Sequence, residues 1–298
     1  MASSSTQLSQ PHHQIRSLSL PSKLNPINRR IEEKLKKLRT KEESSTSASE
    51  AISIGLSGVA ELYECINEVL GLPLTQQALS LRQHERCVGE LVKTCSSLVR
   101  VCTSAMEIVL QHREMAKEVQ LSISNNGRER LNMESIVARY TSSRKELIKK
   151  ATGVILSLKN LDDRNFASDD NQQSTVTKAL RCVSIINISV YESALVFLSM
   201  PVLSPKWSLL SKLMNKANGK RGGQAKSKSG NELHDVDVAL QTFLSSRKAV
   251  DDDHGKFCAV LENLNAFVGV MEGIESGLES VYKQITKTKS FLMNILSF

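Results

Sequence analysis

The chain has 298 residues, of which 40% are hydrophobic and only 4% are aromatic, and its net charge is +8. This length can bury a sizeable core, and a core with so few aromatic rings must rest on Leu, Val, Ile and Ala, as in helix bundles. The basic charge is concentrated in residues 1–45, with +5, and in residues 206–230, with +7, which leaves −4 on the rest of the chain. No basic helix is interleaved with aromatic residues, and no zinc-finger, homeodomain or RNA-recognition motif occurs, so the sequence excludes a specific nucleic-acid-binding domain.

Residues 1–46 are predicted to form a disordered, basic, regulatory tail. The first 28 residues are rich in Ser, Gln, Pro and His, and no acidic residue precedes Glu32, which is typical of unfolded segments. A short basic amphipathic helix is expected at 29–39. A plastid transit peptide has the same Ser-rich, acid-poor composition and remains the alternative for the N-terminus.

The tail contains a candidate phosphorylation motif, Arg16-Ser-Leu-Ser19-Leu-Pro21. Phosphoserine-binding adaptors of the 14-3-3 type recognise this pattern. A phosphate on Ser19 would add about two negative charges, together with acceptor oxygens for an arginine cluster of the adaptor, and Pro21 would turn the peptide out of the binding groove. We therefore predict an adaptor-binding motif at Arg16, Ser19 and Pro21.

Two helices are predicted between residues 47 and 127. Ser47 and Glu50 have the spacing of a capping box and start the first helix, which ends at Gly71. We expect Thr75 to cap the second, a long helix that ends at 124–127. The apolar face of this long helix recurs at alternating steps of three and four residues and comprises Leu81, His84, Val88, Leu91, Cys95, Leu98, Cys102, Ala105, Val109, His112 and Ala116.

A third helix is predicted at about 129–161 and a fourth at about 174–200, separated by an acidic, amide-rich loop at 162–173. Arg144 interrupts the apolar row of the third helix. A charged side chain within such a row suggests a partly exposed position, so we expect Arg144 near an end or an edge of the bundle.

The stretch 182–203 is the most apolar of the chain, and its length is close to the ~20 residues that a membrane span needs. It contains Asn187 and a single charged residue, Glu192. A carboxylate at the centre of a bilayer costs about 2–3 kcal/mol. A central helix that is surrounded by other helices therefore explains this stretch better than a membrane span does.

The remaining chain is predicted to be helical with two interruptions. A short helix at 207–214 leads into a flexible basic loop at 215–231, and the helical region from 232 to the C-terminus is interrupted around 251–255. The predicted fold is all-α: a bundle of four to six long antiparallel helices, forming a single domain at 47–298 behind the N-terminal tail. The heptad-like rows also suit coiled-coil contacts.

The sequence carries no motif that indicates chemistry: it has no nucleophile elbow, phosphate loop, dinucleotide fingerprint or paired carboxylates. Its six cysteines include no Cys-x-x-Cys pair, which favours reduced core thiols. The run 251–254, Asp-Asp-Asp-His, lacks EF-hand spacing and is interpreted as a solvated turn or helix cap. His84 and His112 would lie roughly 40 Å apart on one helix, so they cannot share a site. We predict no enzyme activity, no cofactor and no metal site.

Several strings spread over nearly the whole chain occur together. They are HQIRSLSLPS at 13–22 with Asn25-Pro26, IEEKLKKL at 31–38, LGLPLTQ at 70–76, KWSLLSKLM at 206–214, GLESVY at 277–282 and TKSFLMNILS at 288–297. In these strings the chain resembles a plant-specific family of unknown biochemical function that includes the BYPASS-like proteins. The resemblance implies a land-plant protein with a helical fold and a part in root and shoot development, where BYPASS-type relatives restrain a root-derived mobile signal. It implies no catalytic residues.

Two functions follow as hypotheses. We expect a cytoplasmic, non-enzymatic adaptor that binds other proteins through its helical bundle and through its phosphorylatable tail. The alternative is a membrane-associated regulator, in which the apolar helix 182–203 or the basic segments contact a bilayer.

Overall fold

The computed structural model describes residues 24–126, 130–165, 174–200, 232–245 and 253–297. These ranges are helical and contain no β-strand, which confirms the all-α prediction. The helices are α1 (Leu24–Glu43), α2 (Ala48–Leu70), α3 (Pro73–Leu79), α4 (Glu85–Asn126), α5 (Arg130–Asn165), α6 (Thr175–Leu198), α7 (Glu232–Ser245) and α8 (Asp253–Leu296), with a 3₁₀ turn at Arg82–His84 between α3 and α4.

Four helices, α2, α4, α6 and α8, close into a ring around the core. Each packs against two neighbours of the ring, in the order α2, α8, α4, α6 and back to α2. Helix α5 lies against α4 and α6, α1 covers α2, and α7 covers α8. The apolar rows of all eight helices contribute to one continuous buried core, so the described part of the chain folds around a single hydrophobic centre.

The long helices that follow one another run antiparallel, and this places parallel helices side by side. Helices α4 and α8 are antiparallel, because Lys117 pairs with Glu272 at 3.1 Å and Gln120 bonds to Asn265 at 2.8 Å. Helices α2 and α8 are parallel, because Leu56 faces Gly277 and Asn67 bonds to Gln284. Helices α4 and α6 are also parallel, because Cys87 lies near Arg181 and Cys102 near Tyr191. The chain direction reverses between successive long helices. The ring also brings together helices that are not successive, and some of these neighbours therefore run in the same direction.

Buried polar and glycine contacts set the register between α2 and α8. The Asn67 amide donates to the side chain and the backbone carbonyl of Gln284, at 3.0 and 3.1 Å, and its oxygen accepts from the Thr288 hydroxyl at 2.7 Å. A Cβ at Gly277 would lie only 2.9 Å from Leu56. Sliding one helix along the other would therefore leave a buried amide unsatisfied or force a side chain into the glycine contact.

The long helix α4 begins at Glu85, so the expectation that Thr75 caps it is wrong. Pro73 occupies the first turn of the separate helix α3, which suits its fixed φ, and Thr75 is buried inside that helix. Leu81 adopts an extended conformation and is 44% exposed, because the chain leaves the helical path there. From Val88 onward the predicted face is confirmed, and its buried members are Val88, Leu91, Cys95, Leu98, Cys102, Ala105, Val109, His112 and Ala116.

The predicted start of α2 is confirmed, and a helix precedes it. Ser47 caps α2 by accepting the Glu50 N–H at 3.2 Å, while the Glu50 carboxylate accepts the N–H of Thr46 at 2.7 Å. The helix expected at 29–39 is present but longer, at Leu24–Glu43. Its residues Ile31 and Leu38 are buried against α2, so this part of the N-terminal region packs on the bundle.

Most other predicted boundaries agree with the structure. Helix α6 is capped by Ser174 and lies inside the bundle, with slightly more than half of its most apolar window buried. This helix and the segment Phe257–Leu296 of α8 are both long and apolar enough to cross a membrane by composition alone. Helix α5 continues four residues into the loop predicted at 162–173, whereas the short helix and the basic loop predicted at 207–231 lie outside the described residues.

Candidate functional site

Arg144 is fully buried, so the expectation that it lies near an edge is wrong. It sits in the middle of α5, where that helix meets α4, the C-terminal end of α6, and α7. A buried guanidinium must be paired and hydrogen-bonded to remain in a low-dielectric core. The contacts of Arg144 show how this is achieved.

The guanidinium closes the C-terminal end of α6. Its Nη2 donates to the carbonyl oxygen of Met200 at 2.9 Å, and its Nη1 donates to that of Leu198 at 3.3 Å. The last carbonyls of a helix have no partner within the helix, and they carry the negative end of its dipole. Arg144 therefore supplies both the missing donors and a compensating positive charge.

The same guanidinium joins α5 to α7 through a buried carboxylate. Arg144 Nη2 lies 3.7 Å from Asp237 Oδ2, and Tyr140 donates its hydroxyl proton to Asp237 Oδ1 at 2.6 Å. Burial raises the pKa of Asp237, and the charge of Arg144 and the hydrogen bond from Tyr140 oppose that rise. Burial and the neighbouring carboxylate raise the pKa of Tyr140 well above its usual value, so its hydroxyl remains a donor.

His112 completes the cluster from α4, and its contacts identify its tautomer. Nδ1 lies 2.9 Å from the carbonyl oxygen of Ile108, which can only accept, so Nδ1 carries the proton. Nε2 is then free to accept from Arg144 Nη1 at 3.3 Å. Burial, and secondarily the charge of Arg144, lowers the pKa of His112 to about 4, which keeps the ring neutral at neutral pH.

The four side chains Arg144, Asp237, Tyr140 and His112 form what we call the arginine centre. It contains an acid, a base and two further titratable groups, but all four are buried and bonded to one another or to helix carbonyls. A catalytic group must reach a substrate, whereas this arrangement joins four helices. The sequence did contain a signal for this cluster. An arginine within an apolar row needs a buried acidic partner, and Asp237 lies within the apolar row of α7, between the buried residues Val236 and Leu240.

The cysteines form no disulfide, and four of the six are buried. Burial raises the pKa of the Cys95 thiol to about 12 and that of Cys102 to about 11. Cys102 donates to the carbonyl oxygen of Leu278 at 3.4 Å. These two behave as small core residues, as predicted, while Cys182 and Cys258 are exposed.

An open groove lies between α4 and α5. Its volume is about 700 Å³, and Gly153 and several serines are among the residues that line it. Arg100 and Glu107 from α4 and Lys150 from α5 stand along it. Leu156, which is 60% exposed, lies on the same helix as Gly153. The small side chains leave room for an approaching backbone, and the charged ones can pair with a partner.

The predicted functional residues Arg16, Ser19 and Pro21 lie outside the described residues, as do the side chains of the Asp-Asp-Asp-His run at 251–254. Among the described side chains, no group of three or more His, Cys, Asp or Glu is placed to hold a metal ion. His84 lies in the turn before α4 and His112 lies deep in that helix, so the two histidines remain far apart.

Comparison with known proteins identifies one family. A family model described as "Protein BPS1" matches residues 55–295, which include every described helix except α1 and the start of α2. No curated protein and no solved structure matches the chain.

Proposed function

The chain belongs to the BPS1 family. We propose that it is a non-enzymatic helical adaptor of plant development that binds a protein partner in the groove between α4 and α5. Family membership supports the broader statement, a BYPASS-like protein of plant development. The adaptor role, its action in the root and shoot, and its place in the cytoplasm are parts of the proposal.

The observation that carries the proposal is the shape of the groove. Small residues from both helices, such as Ser104 and Gly153, line the groove and leave the space between α4 and α5 unfilled. An extended or helical peptide can lie in such a groove and bury its apolar side chains there. Arg100 and Lys150 outnumber Glu107 along the groove, so a partner with acidic side chains is favoured there.

A groove-filling variant tests the proposal. A Cβ at Gly153 would meet no atom within 4 Å, so Gly153→Trp is expected to fill the groove while the protein still folds. Gly269→Trp is the matched control, because Gly269 is also open to solvent but lies on α8, outside the groove. Tagged full-length protein is purified from plant roots with its bound proteins. Gly153→Trp should lose partners that Gly269→Trp retains, and identical partner sets would contradict the proposal.

The developmental role is tested with the same two variants. In plants that lack the protein, Gly269→Trp should restore root and shoot growth and Gly153→Trp should not. Equal restoration by both variants would show that the groove has no part in development.

The phosphorylatable tail is tested separately. Ser19→Ala and deletion of residues 1–22 should each remove a phosphoserine-binding adaptor from the purified complex and leave the groove partners unchanged. The deletion stops before α1, because Ile31 and Leu38 are buried against α2 and their loss would expose core residues. Adaptor binding that survives both changes would contradict this part of the proposal.

A further inference from the structure

One end of the bundle combines exposed apolar side chains with basic charge. This end, which we call the α3 end, consists of α3, the 3₁₀ turn, the first turns of α4 and α6, and the last turns of α8. Its parts are in contact: a Cβ at Gly71 would lie 3.6 Å from Phe291 of α8, and Arg181 Nη2 of α6 lies 3.9 Å from Cys87 Sγ of α4.

Four large apolar side chains project from the α3 end. Leu74 is 61% exposed and Leu81 44%, while Met293 is 49% and Leu296 39% exposed. They come from α3, from the residue before the 3₁₀ turn, and from the last turns of α8. Apolar side chains that share one end of a molecule and remain in water indicate an interaction surface.

Basic residues outnumber acidic ones in the segments that carry these apolar side chains. The segments 71–93, 174–182 and 283–297 together carry eight Lys or Arg and two acidic residues. In 283–297 there are three lysines and no acid. The acidic Glu68 of nearby α2 is paired with Arg30 at 2.7 Å, so part of its charge is already neutralised.

The charge changes sign toward the other end of the bundle. Helix α7 carries Glu232, Asp235 and the buried Asp237 and no Lys or Arg, and 253–275 carries four acidic residues against one lysine. Asp237, Glu272 and Glu275 pair with cations of α4 and α5, and the remaining acidic residues still give this end a charge opposite to that of the α3 end. A negatively charged surface attracts the α3 end and repels α7 and the N-terminal half of α8.

We propose that the α3 end docks on the surface of an anionic lipid bilayer. The exposed leucine and methionine side chains enter the boundary between headgroups and acyl chains, and the lysines and arginines lie among the acidic headgroups. Single apolar side chains from separate helices suit a fluid surface, which adapts to their spacing, whereas a folded protein partner would need rigid complementarity to each. Docking in this way leaves the α4–α5 groove along the side of the bundle, so the inference goes beyond the proposed function and does not depend on it.

Vesicle sedimentation tests the electrostatic part. The probe is vesicles of phosphatidylcholine with about one third phosphatidylserine, compared with pure phosphatidylcholine. The variant is Lys283→Gln/Lys287→Gln/Lys289→Gln, and each lost charge should weaken binding about fivefold, or on the order of a hundredfold for three. The control, Lys145→Gln/Lys149→Gln/Lys159→Gln, removes three exposed lysines of α5 outside the groove and should change binding severalfold at most.

Tryptophan quenching tests which end touches the lipid. In a Trp207→Phe background, which removes the natural tryptophan, Leu74→Trp or Met293→Trp should be quenched by brominated lipids. Leu121→Trp is the control, since Leu121 is 64% exposed on α4 beyond the arginine centre, and it should remain unquenched. Circular dichroism verifies that each variant is folded.

Three results would overturn the proposal. The first is that the wild-type chain fails to sediment with the phosphatidylserine vesicles. The second is that neutralising the seven basic residues of 206–230 abolishes binding while the α8 lysine variant still binds like the wild type. The third is equal quenching of tryptophans at 74 and 121.

Discussion

Replacing Arg144 by Met tests the central claim about the fold, that one buried guanidinium joins four helices. Met retains much of the side-chain volume, so the change removes polar contacts more than packing. Asp237 then loses its cation, and breaking a buried ion pair from one side costs about 3–5 kcal/mol. The buried carbonyl of Leu198 also loses its donor, at about 1–3 kcal/mol, and the part-buried carbonyl of Met200 loses its donor as well. Because these losses overlap, we expect a total of about 5 kcal/mol in the free energy of unfolding.

The double variant Arg144→Met/Asp237→Leu separates the charge effect from the carbonyl effect. Removing both charges avoids the isolated buried ion, and replacing a buried pair by apolar residues is often neutral. The carbonyls of Leu198 and Met200 still lack their donors, so the double variant should remain about 2 kcal/mol less stable than the wild type. Its loss should be smaller than the sum of the two single losses by more than about 2 kcal/mol.

Urea unfolding followed by far-ultraviolet circular dichroism measures these differences, and an unchanged slope against urea shows that the compactness of the two end states is unaffected. A loss of less than about 1 kcal/mol in Arg144→Met would show that the guanidinium does not hold the four helices together. Simple addition of the two single losses in the double variant would show that Arg144 and Asp237 are not coupled, since independent residues add and coupled residues do not.

Three further predictions follow from other contacts. His112 has a pKa of about 4 in the fold against 6.5 for the unfolded chain, so the unfolded chain binds more protons between these values. Stability should therefore fall as the pH drops through that window, by about 2–3 kcal/mol at about pH 4.5, and a His112→Gln variant should lose this part of the slope in urea unfolding. Gly277→Val should destabilise by about 1–3 kcal/mol because its side chain meets α2, while Gly269→Ala at an open position should stabilise by about 0.5–1 kcal/mol; thermal melts compare the two. In the native protein a thiol-reactive dye should label the exposed Cys182 and Cys258 quickly and the other cysteines only after unfolding, and fast labelling of a third thiol would contradict the described burial.

The sequence predicted the elements that depend on local patterns. Ser47 and Ser174 lie at the N-caps of α2 and α6, and the row from Val88 to Ala116 is buried as its spacing indicates. These features were predictable because a capping side chain acts within one turn, and because helical periodicity places residues on one face whatever that face contacts.

Periodicity could not locate the break before α4. Leu81 falls in step with the apolar row that follows it, yet this residue is extended, and together with a 3₁₀ turn it separates α3 from α4. The spacing of three and four residues continues unchanged through such a break, so periodicity alone predicts one helix where the structure has two. The conformation there is decided by how the chain turns at the end of the bundle.

By itself, the sequence determined that the chain is helical, where most helices begin and end, and which face of each is apolar. Only the tertiary structure decided which helices are neighbours, that α2 lies parallel to α8, and that Arg144 belongs in the core with Asp237, nearly a hundred residues away. Helical pattern and capping are local, whereas the environment of a charged side chain depends on which distant groups the folded chain brings within a few ångströms of it.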